Sequence, residues 1–149
     1  MYPRAKTLGV LLYDNRILVE EFHGKHSKGE GTYYRPIGGS IEFGEKSEDA
    51  LIREFHEELE VEIKINQYIG CLENIFSIDE ETGHEIFQLY LIGFKDISHY
   101  NRRMFNVIEG NKMGVAKWLP LADFTSNRET LYPNGLIERV TKELYLCEV

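Results

Sequence analysis

The chain has 149 residues, of which 42% are hydrophobic and 28% are charged, and its formal net charge at pH 7 is −8. This composition is typical of a globular domain with a sizeable core, and we expect a single domain over residues 1–149. Because nucleic acids and anionic membranes are themselves negatively charged, the net charge argues against either as a partner. A small phosphorylated substrate remains open, since a bound cation would reverse the local field.

Two features of the sequence favour a cytoplasmic protein. The N-terminal residues MYPRAKTLGVLLYD contain no long apolar run and no small-residue cleavage site, and no segment reaches the roughly 20 apolar residues that cross a bilayer. Cys71 and Cys147 form neither a CxxC pair nor a disulfide framework, which fits a reducing compartment. We therefore expect a cytoplasmic location and no membrane partner.

Strands and turns alternate in the first part of the chain. Branched apolar residues predict strands at 7–13 and 17–21, and Asp14-Asn15 between them is typical of a hairpin turn. Residues 22–32 are polar and rich in glycine, so we expect a surface loop there. This segment lacks the GxxxxGK[ST] spacing of a phosphate-binding P-loop.

The next segment leads into a central helix. A short strand at 33–37 is expected to end in a backbone bend at Gly38-Gly39, and residues 40–43 form a second short strand or a turn. The helix is predicted over 47–59. Ser47 is its expected N-cap, and acidic residues follow in the first turn, where the helix dipole favours negative charge.

The remaining elements are strands followed by a terminal helix. Alternating and β-branched runs predict strands at 61–65, 67–78, 85–94 and 115–119, with turns at 79–83 and 120–124, the latter possible as a short helix. The polar segment 95–111 is expected to be a loop with at most an irregular strand. An amphipathic helix is predicted over 134–146, and its inward residues are Leu136, Ile137, Val140 and Leu144. These elements indicate an α+β fold with a mixed sheet between helices.

The central helix carries a cluster of carboxylates. Glu54, Glu57 and Glu58 are spaced at i, i+3 and i+4, which places them on one arc about 100° wide. The neighbouring arc is apolar and carries Leu51, Phe55 and Leu59. Like charges at this spacing cost a helix a few tenths of a kcal/mol per pair. A hard divalent cation such as Mg²⁺, which prefers oxygen ligands, gives a reason for the cluster.

The carboxylates belong to a longer pattern. Gly39 is followed after five residues by Glu45 and, after seven more, by the run REFHEELEV from Arg53 to Val61. This pattern resembles the signature of the Nudix hydrolase family at nearly every defined position. The departure is Glu60, where the family has glycine. RPIG at 35–38 and WLPL at 118–121 are also similar to that family, so the resemblance covers most of the chain.

The signature from Gly39 to Val61 is called the Nudix box, and its helix is the box helix. The resemblance implies a Nudix-like α/β/α sandwich, in which a mixed central sheet lies between the box helix and the C-terminal helix. It also implies hydrolysis of a pyrophosphate linkage in a nucleoside diphosphate linked to another group, with water attacking phosphorus. The expected partner is a small nucleotide or diphosphate substrate, and a homodimer is one expected assembly because homodimers are common in this family. The subclass markers of ADP-ribose and dinucleoside polyphosphate hydrolases are missing from residues 74–78, so the substrate stays open.

The resemblance also assigns residues to a Mg²⁺ site, with Mn²⁺ as an alternative. The implied metal ligands are Glu54, Glu57 and Glu58, joined by a backbone carbonyl near them, that of Gly38. Arg53 belongs to the same catalytic set and is expected to pair with Glu45 or with the glutamates, for which its planar fork is suited. Arg35 could reach a substrate phosphate, and an ordinary surface or salt-bridge role is equally compatible with its position.

Three questions stay open at the level of sequence. The general base could be Glu57, from inside the box, or Glu85 or Glu109, from outside it. Glu60 occupies a helix end where a left-handed residue other than glycine costs about 1 kcal/mol or more, so either the turn is rearranged or strain is tolerated. A Nudix-fold sensor that binds a nucleotide without cleaving it is the rival function. The complete set of Arg53 and the three helical glutamates argues against that rival.

Overall fold

A computed structural model describes residues 1–147 of the chain. The strands are β1 (Arg4–Tyr13), β2 (Arg16–His26), β3 (Gly29–Arg35), β4 (Ile37–Ser40), β5 (Ile63–Ile78), β6 (Glu81–Phe94), β7 (Met104–Glu109) and β8 (Lys112–Pro120). The helices are α1 (Ser47–Leu59), α2 (Leu121–Thr125) and α3 (Leu136–Cys147), and a 3-10 turn covers Ile97–Asn101. Over the described residues, no helix is both long and apolar enough to span a bilayer.

The strands form a mixed sheet in the order β5-β6-β1-β2-β8-β7, with β4 paired to β1 and β3 paired to β2. The β1–β6 pair is parallel, from Arg4 opposite Glu85 to Leu11 opposite Ile92, and the other pairs are antiparallel. β1 pairs with β2 only near the turn, at Leu12 and Tyr13. The sheet therefore opens between β1 and β2 away from that turn.

Helices cover the two faces of the sheet. On one face, α1 buries Leu51, Phe55 and Leu59 against a cluster that includes Leu11, Ile92 and Trp118. On the other face, α3 buries Leu136 and Val140 against a cluster that includes Leu8, Val10 and Phe87, and Ile137 and Leu144 pack against it while partly exposed. The predicted α+β fold, an α/β/α sandwich with a mixed central sheet, is confirmed.

The loop predicted at 22–32 is wrong. β2 and β3 continue as a long hairpin, in register from Glu20 opposite Arg35 to His26 opposite Gly29. Phe22 stacks on Tyr33 across the pair, with ring centroids 5.3 Å apart. The hairpin projects beyond the core, so both of its faces tolerate polar residues and the alternation that marks a half-buried strand is absent.

The bend predicted at Gly38-Gly39 is also wrong. Both glycines lie inside β4, and the chain passes from the β2 side to the β1 side at Pro36, which has no N–H to give to a ladder. Glycine is needed here for close approach rather than for a turn. A Cβ at Gly38 would collide with the Thr7 carbonyl oxygen, and one at Gly39 would lie 2.6 Å from Glu54 Oε1.

The C-terminal half is more regular than predicted. The strands expected at 61–65 and 67–78 are one strand, β5, with register shifts at 65/67 and 68/70. The turn from β5 to β6 is shorter than the turn predicted at 79–83. Only Asp79 and Glu80 form it, with φ of 51° and 68°, and Ile78 pairs directly with Glu81. The segment 95–111 contains β7 as well as the 3-10 turn, and β7 pairs with β8 from Met104 to Glu109.

Helix α1 has the predicted bounds, but its N-cap is Lys46 rather than Ser47. The Ser47 hydroxyl instead lies 2.6 Å from the Tyr90 hydroxyl, which ties the start of the helix to β6. At the other end, Glu60 adopts φ 56° and ψ 37°, and the N–H groups of Glu60 and Val61 donate to the carbonyls of His56 and Phe55. The turn keeps its left-handed shape with glutamate in it.

Replacing Glu60 by glycine is expected to raise the free energy of unfolding by less than about 1 kcal/mol, because relief of left-handed strain is partly offset by the greater freedom of the unfolded chain. Turnover should change by less than about twofold, since the exposed Glu60 side chain lies outside the cavity described below. Urea unfolding measures the first effect. Glu60→Ala is the control, because alanine keeps the strain. A gain of several orders of magnitude in activity would contradict this account.

Candidate active site

An acidic cavity of about 380 Å³ lies where the sheet opens beside α1. Its carboxylates are Glu20, Glu42, Glu54, Glu57, Glu58 and Glu109. Its cationic side chains are Lys6, Arg35 and Arg53. β1, β2, β4, α1 and the turn between β7 and β8 all contribute to its wall. The excess of carboxylates favours a cation over a free anion in this cavity.

Arg53 connects the loop before α1 to the carboxylates on the helix. Its Nε and Nη2 donate to the two oxygens of Glu45 at 2.8 and 3.0 Å, a bidentate pair. Its Nη1 donates to Glu54 at 3.1 Å and to Glu57 at 3.2 Å, and Nη2 also donates to the Ser40 carbonyl at 3.1 Å. The hydrogen bonds to Glu45 raise the pKa of Arg53 above its usual range, so the guanidinium stays charged. One side chain thus holds three carboxylates in place.

Glu58 lies deeper than its neighbours on the helix. It is 6% exposed, whereas the side chain of Glu57 is 57% exposed. Burial raises the pKa of Glu58, and the hydrogen bond and negative charge of Glu54 raise it further. The Glu54 carboxylate lies against the bare Cα of Gly39, so a larger residue there would displace it. Two ionised carboxylates in this position would repel each other, and either a proton on Glu58 or a bound cation relieves that repulsion.

The other sequence-predicted residues divide between two cavities. Gly38, Arg35 and Glu109 line the acidic cavity together with the helical glutamates. Glu85 does not line it. Glu85 is 6% exposed, lies 3.6 Å from Arg4, and faces a neighbouring apolar cavity that Arg35 also lines.

A family model of the NUDIX domain matches residues 3–139. The chain belongs to the NUDIX family. No curated protein matches the chain closely enough to count as a relative. The family expected from the sequence is confirmed by this match to its domain model.

Several solved NUDIX structures share this fold. The MutT NUDIX hydrolase from Burkholderia pseudomallei is 21% identical, with a TM-score of 0.63 over 83% of this chain and 88% of that chain. A NUDIX hydrolase from Nitrosomonas europaea is 13% identical, with a TM-score of 0.67 over 97% and 90%. An ADP-ribose pyrophosphatase from Streptococcus suis is 14% identical, with a TM-score of 0.57 over 94% and 88%. At these identities the likeness establishes the fold alone.

Helix α1 carries suitable oxygen donors for a divalent cation, although these donors are not gathered around one point. Within residues 1–147, no three His, Cys, Asp or Glu side chains converge closely enough to hold a metal ion as they stand. Arg53 holds Glu54 and Glu57 toward itself, which accounts for part of this separation. The donor set consists of carboxylate oxygens, which Mg²⁺ and Mn²⁺ prefer, and buried Glu58 is short of a positive neighbour. The residues therefore fit the cation.

The sequence analysis missed Glu20, a buried carboxylate on β2 that lines the acidic cavity together with the glutamates of α1. Glu20 is 9% exposed, and its carboxylate fits against Gly114, where a Cβ would lie 2.8 Å from Oε2. Burial raises its pKa to about 7, although Arg35 opposes the shift. The register of the β2–β3 hairpin would have identified it, because this register places Glu20 opposite Arg35, and Arg35 lies shortly before the Nudix box. The expected loop at 22–32 hid this pairing.

Raising the pH is expected to destabilise the metal-free protein through Glu20. Because its pKa is raised from 4.5 to about 7, the folded chain retains between these values a proton that the unfolded chain has released. The wild type therefore loses unfolding free energy as pH rises through this window, by about 3 kcal/mol. Glu20→Gln has no such proton and should be the more stable protein above about pH 7, but not below about pH 5.

Urea unfolding in EDTA, above about pH 7 and below about pH 5, measures this difference in unfolding free energy between wild type and Glu20→Gln. Glu21→Gln is the matched control on the opposite face of β2, because the hydrogen bond from Lys117 lowers the pKa of Glu21. A lowered pKa contributes stability at neutral pH that is lost as pH falls, so this control should be the less stable protein at neutral pH. Equal stability of wild type and Glu20→Gln at both pH values would contradict the buried position of Glu20.

Proposed function

We propose that the protein hydrolyses a pyrophosphate linkage in a nucleoside diphosphate linked to another group, and that it requires Mg²⁺ or Mn²⁺. The observation that carries this proposal is the meeting of Glu54, Glu57 and Glu58 in one cavity with cationic Arg35 beside them. Membership of the NUDIX family supports it. Neighbours of similar fold that are named as a NUDIX hydrolase and an ADP-ribose pyrophosphatase agree with this reaction class.

In this proposal the residues divide the work by position. Glu54, Glu57 and Glu58, with the carbonyl of Gly38, would hold the cation. When bound, a divalent cation neutralises phosphate charge and makes an adjacent water more acidic. Arg53 positions the carboxylates through its contacts with Glu45, Glu54 and Glu57. The contacts with Glu45 also hold the loop before α1 to the helix.

Phosphate binding is assigned to Arg35, and proton acceptance is assigned to one carboxylate of the cavity. Arg35 lines both the acidic cavity and the neighbouring apolar cavity, so its guanidinium can bind a phosphate where the two cavities adjoin. The guanidinium also lies 5.0 Å from the centroid of the Phe22 ring. Glu57, exposed on the helix, is our first choice as general base, and Glu109, across the cavity, is the second. Glu85 is the weakest choice, because it faces the other cavity and lies beside Arg4.

A panel of nucleoside triphosphates, nucleotide sugars and ADP-ribose tests the function, with released phosphate or nucleotide measured in Mg²⁺, in Mn²⁺ and in EDTA. We expect turnover of at least one compound with either cation and none in EDTA. Tight nucleotide binding without turnover of any compound would overturn the hydrolase and support the non-catalytic sensor. Turnover that persists in EDTA would overturn the requirement for a cation.

A further inference from the structure

A third cavity, of about 350 Å³, lies beside the turn between β1 and β2. Arginine and aromatic side chains make up most of its wall: Arg16, Arg102, Arg103, Tyr13, Tyr100 and Trp118. We call it the arginine cavity. Among residues 1–147, no Asp or Glu lines it. A group of guanidiniums in such a wall favours an anion, although the net charge of the whole chain is −8.

The arginine cavity is separate from the acidic cavity, and the two share no lining residue. Lys6 of β1 lines the acidic cavity, whereas Tyr13 at the other end of the same strand lines the arginine cavity. At roughly 3.3 Å per residue of extended strand, these two positions are about 23 Å apart. A small molecule in the arginine cavity therefore does not contact the proposed cation ligands on α1.

The register of the strands places three of the lining side chains together. Residues 14–15 adopt φ of 53° and 58° and form a two-residue turn, so Tyr13 pairs directly with Arg16. Arg16 also pairs with Pro120 of β8, and Trp118 lies two residues before that proline. Directly opposite residues, and residues two apart on one strand, project from the same face of a sheet. The tyrosine, the arginine and the tryptophan therefore meet on one face.

The 3-10 turn adds the other two arginines to this face. Tyr100 stacks on Tyr13, with ring centroids 4.8 Å apart, and its hydroxyl accepts a hydrogen bond from the Phe94 N–H at 2.9 Å. The Trp118 indole N–H donates to the Arg102 carbonyl at 3.0 Å. These contacts hold the segment that carries the arginines to β6 and β8. Little backbone freedom is then lost when a ligand binds there.

The three guanidiniums are available to a ligand. Arg103 is exposed and forms no ion pair within residues 1–147. The Arg102 guanidinium lies 4.1 Å from the centroid of the Phe105 ring, and stacking leaves its in-plane N–H groups free to donate. Arg16 lies 3.6 Å from Asp14, but these side chains are 42% and 74% exposed, so their contact is weak. Three guanidiniums beside one carboxylate suit a phosphate monoester, which carries about −1.5 to −2 charges at pH 7.

We propose that the arginine cavity binds a phosphate monoester carried on a flat aromatic molecule, with the three arginines as phosphate ligands and Tyr13 as the stacking surface. Tyr13 is 44% exposed although it stacks on Tyr100, so ring surface remains for a ligand. A carboxylate has a single charge and two oxygens, and it would leave much of this positive charge unmatched. Nucleoside monophosphates and aryl phosphates both have the required chemistry. Neither needs a metal ion to bind here.

Trp118 reports on this cavity directly, because it is the single tryptophan of the chain. Phenyl phosphate, AMP, inorganic phosphate, phenol and adenosine would each be titrated in EDTA, and the indole N–H signal followed by NMR. We expect phenyl phosphate and AMP to shift the signal saturably and to bind at least about tenfold more tightly than inorganic phosphate, phenol or adenosine. The tighter of the two esters identifies the ligand as an aryl phosphate or a nucleotide.

Three variants separate the phosphate contacts from stacking. Arg103→Gln should weaken binding of both esters and of inorganic phosphate about tenfold, because it removes charged hydrogen bonds from an exposed position. Arg128→Gln is the matched control, since Arg128 is an exposed arginine that lines neither cavity, and it should bind like wild type. Tyr13→Leu should weaken both esters about tenfold and change inorganic phosphate by less than about twofold.

The proposal is overturned if neither ester moves the indole signal, or if adenosine binds as tightly as AMP. It is equally overturned if Arg103→Gln and Arg128→Gln behave alike. Inorganic phosphate that binds as tightly as both esters would overturn it as well, because the ring would then contribute nothing. These outcomes are independent of the proposed hydrolysis, since neither ester contains a phosphoanhydride. A chain that hydrolyses no member of the panel can still bind these esters, and an active hydrolase can fail to bind them.

Discussion

Replacing Glu57 or Glu58 by glutamine is expected to lower turnover about 100-fold to 1,000-fold while the protein still folds. Each substitution keeps the shape of the side chain and removes one negative charge from the proposed cation site. Fewer carboxylates bind the cation more weakly and stabilise the charge of the reacting phosphate less well. Steady-state kinetics with the best substrate of the panel, over a range of Mg²⁺ concentrations, measures both effects.

The two variants should differ in stability because the two carboxylates differ in burial. Burial beside Glu54 raises the pKa of Glu58, so folding without metal near neutral pH requires this side chain to take up a proton. Glu58→Gln avoids that cost and should unfold at a higher temperature than wild type in EDTA. Glu57 is largely exposed and accepts a hydrogen bond from Arg53, so Glu57→Gln should change the unfolding temperature little. Added Mg²⁺ should stabilise wild type more than either variant, since a ligand stabilises only the state that binds it.

Glu48→Gln is the matched control, because Glu48 is an exposed carboxylate in the first turn of the same helix and does not line the cavity. Its turnover and its response to Mg²⁺ should equal those of wild type. Near-normal turnover in both Glu57→Gln and Glu58→Gln would show that the site has been assigned to the wrong residues. A loss as large in Glu48→Gln would show that the measured effect is general to acidic residues on α1.

The helix at the centre of this site was predictable because its signal is local. Its bounds follow from apolar residues repeated at helical spacing, and the same period puts Glu54, Glu57 and Glu58 on one face. The bend expected at Gly38-Gly39 was wrong because glycine has two uses that look alike in a sequence. At these positions it allows close approach to Thr7 and Glu54, and the contacts that require it lie far away along the chain.

The part of the site formed by β2 and β3 was not predictable in the same way. The polar hairpin from 22 to 32 lacks alternation, so only its pairing with known neighbours identifies it as two strands. Glu20 enters the acidic cavity through that pairing, and Glu85 and Arg35 line the same apolar cavity only because two hairpins converge. Residues brought together by long-range register leave no periodic pattern in the sequence.

Replacing Arg53 by lysine is expected to lower turnover about tenfold to 100-fold, although the positive charge is kept. Lysine cannot make the bidentate contact with Glu45 and also reach Glu54, Glu57 and the Ser40 carbonyl. The loop before α1 and the carboxylates on the helix would then move independently. Affinity for Mn²⁺, measured by electron paramagnetic resonance, should fall with turnover if Arg53 positions the carboxylates.

The partner of Arg53 makes this prediction more specific. Glu45 does not line the acidic cavity, and it accepts two hydrogen bonds from Arg53 and one from the N–H of Glu42. If Arg53 acts by fixing the loop to the helix, Glu45→Gln should also lower turnover, and Arg53→Lys combined with Glu45→Gln should be little worse than the weaker single variant. If Arg53 instead contacts the reacting phosphate directly, the two losses should multiply, because Glu45 then contributes to a separate step. Multiplying losses with unchanged Mn²⁺ affinity would move Arg53 from a positioning residue to a catalytic one.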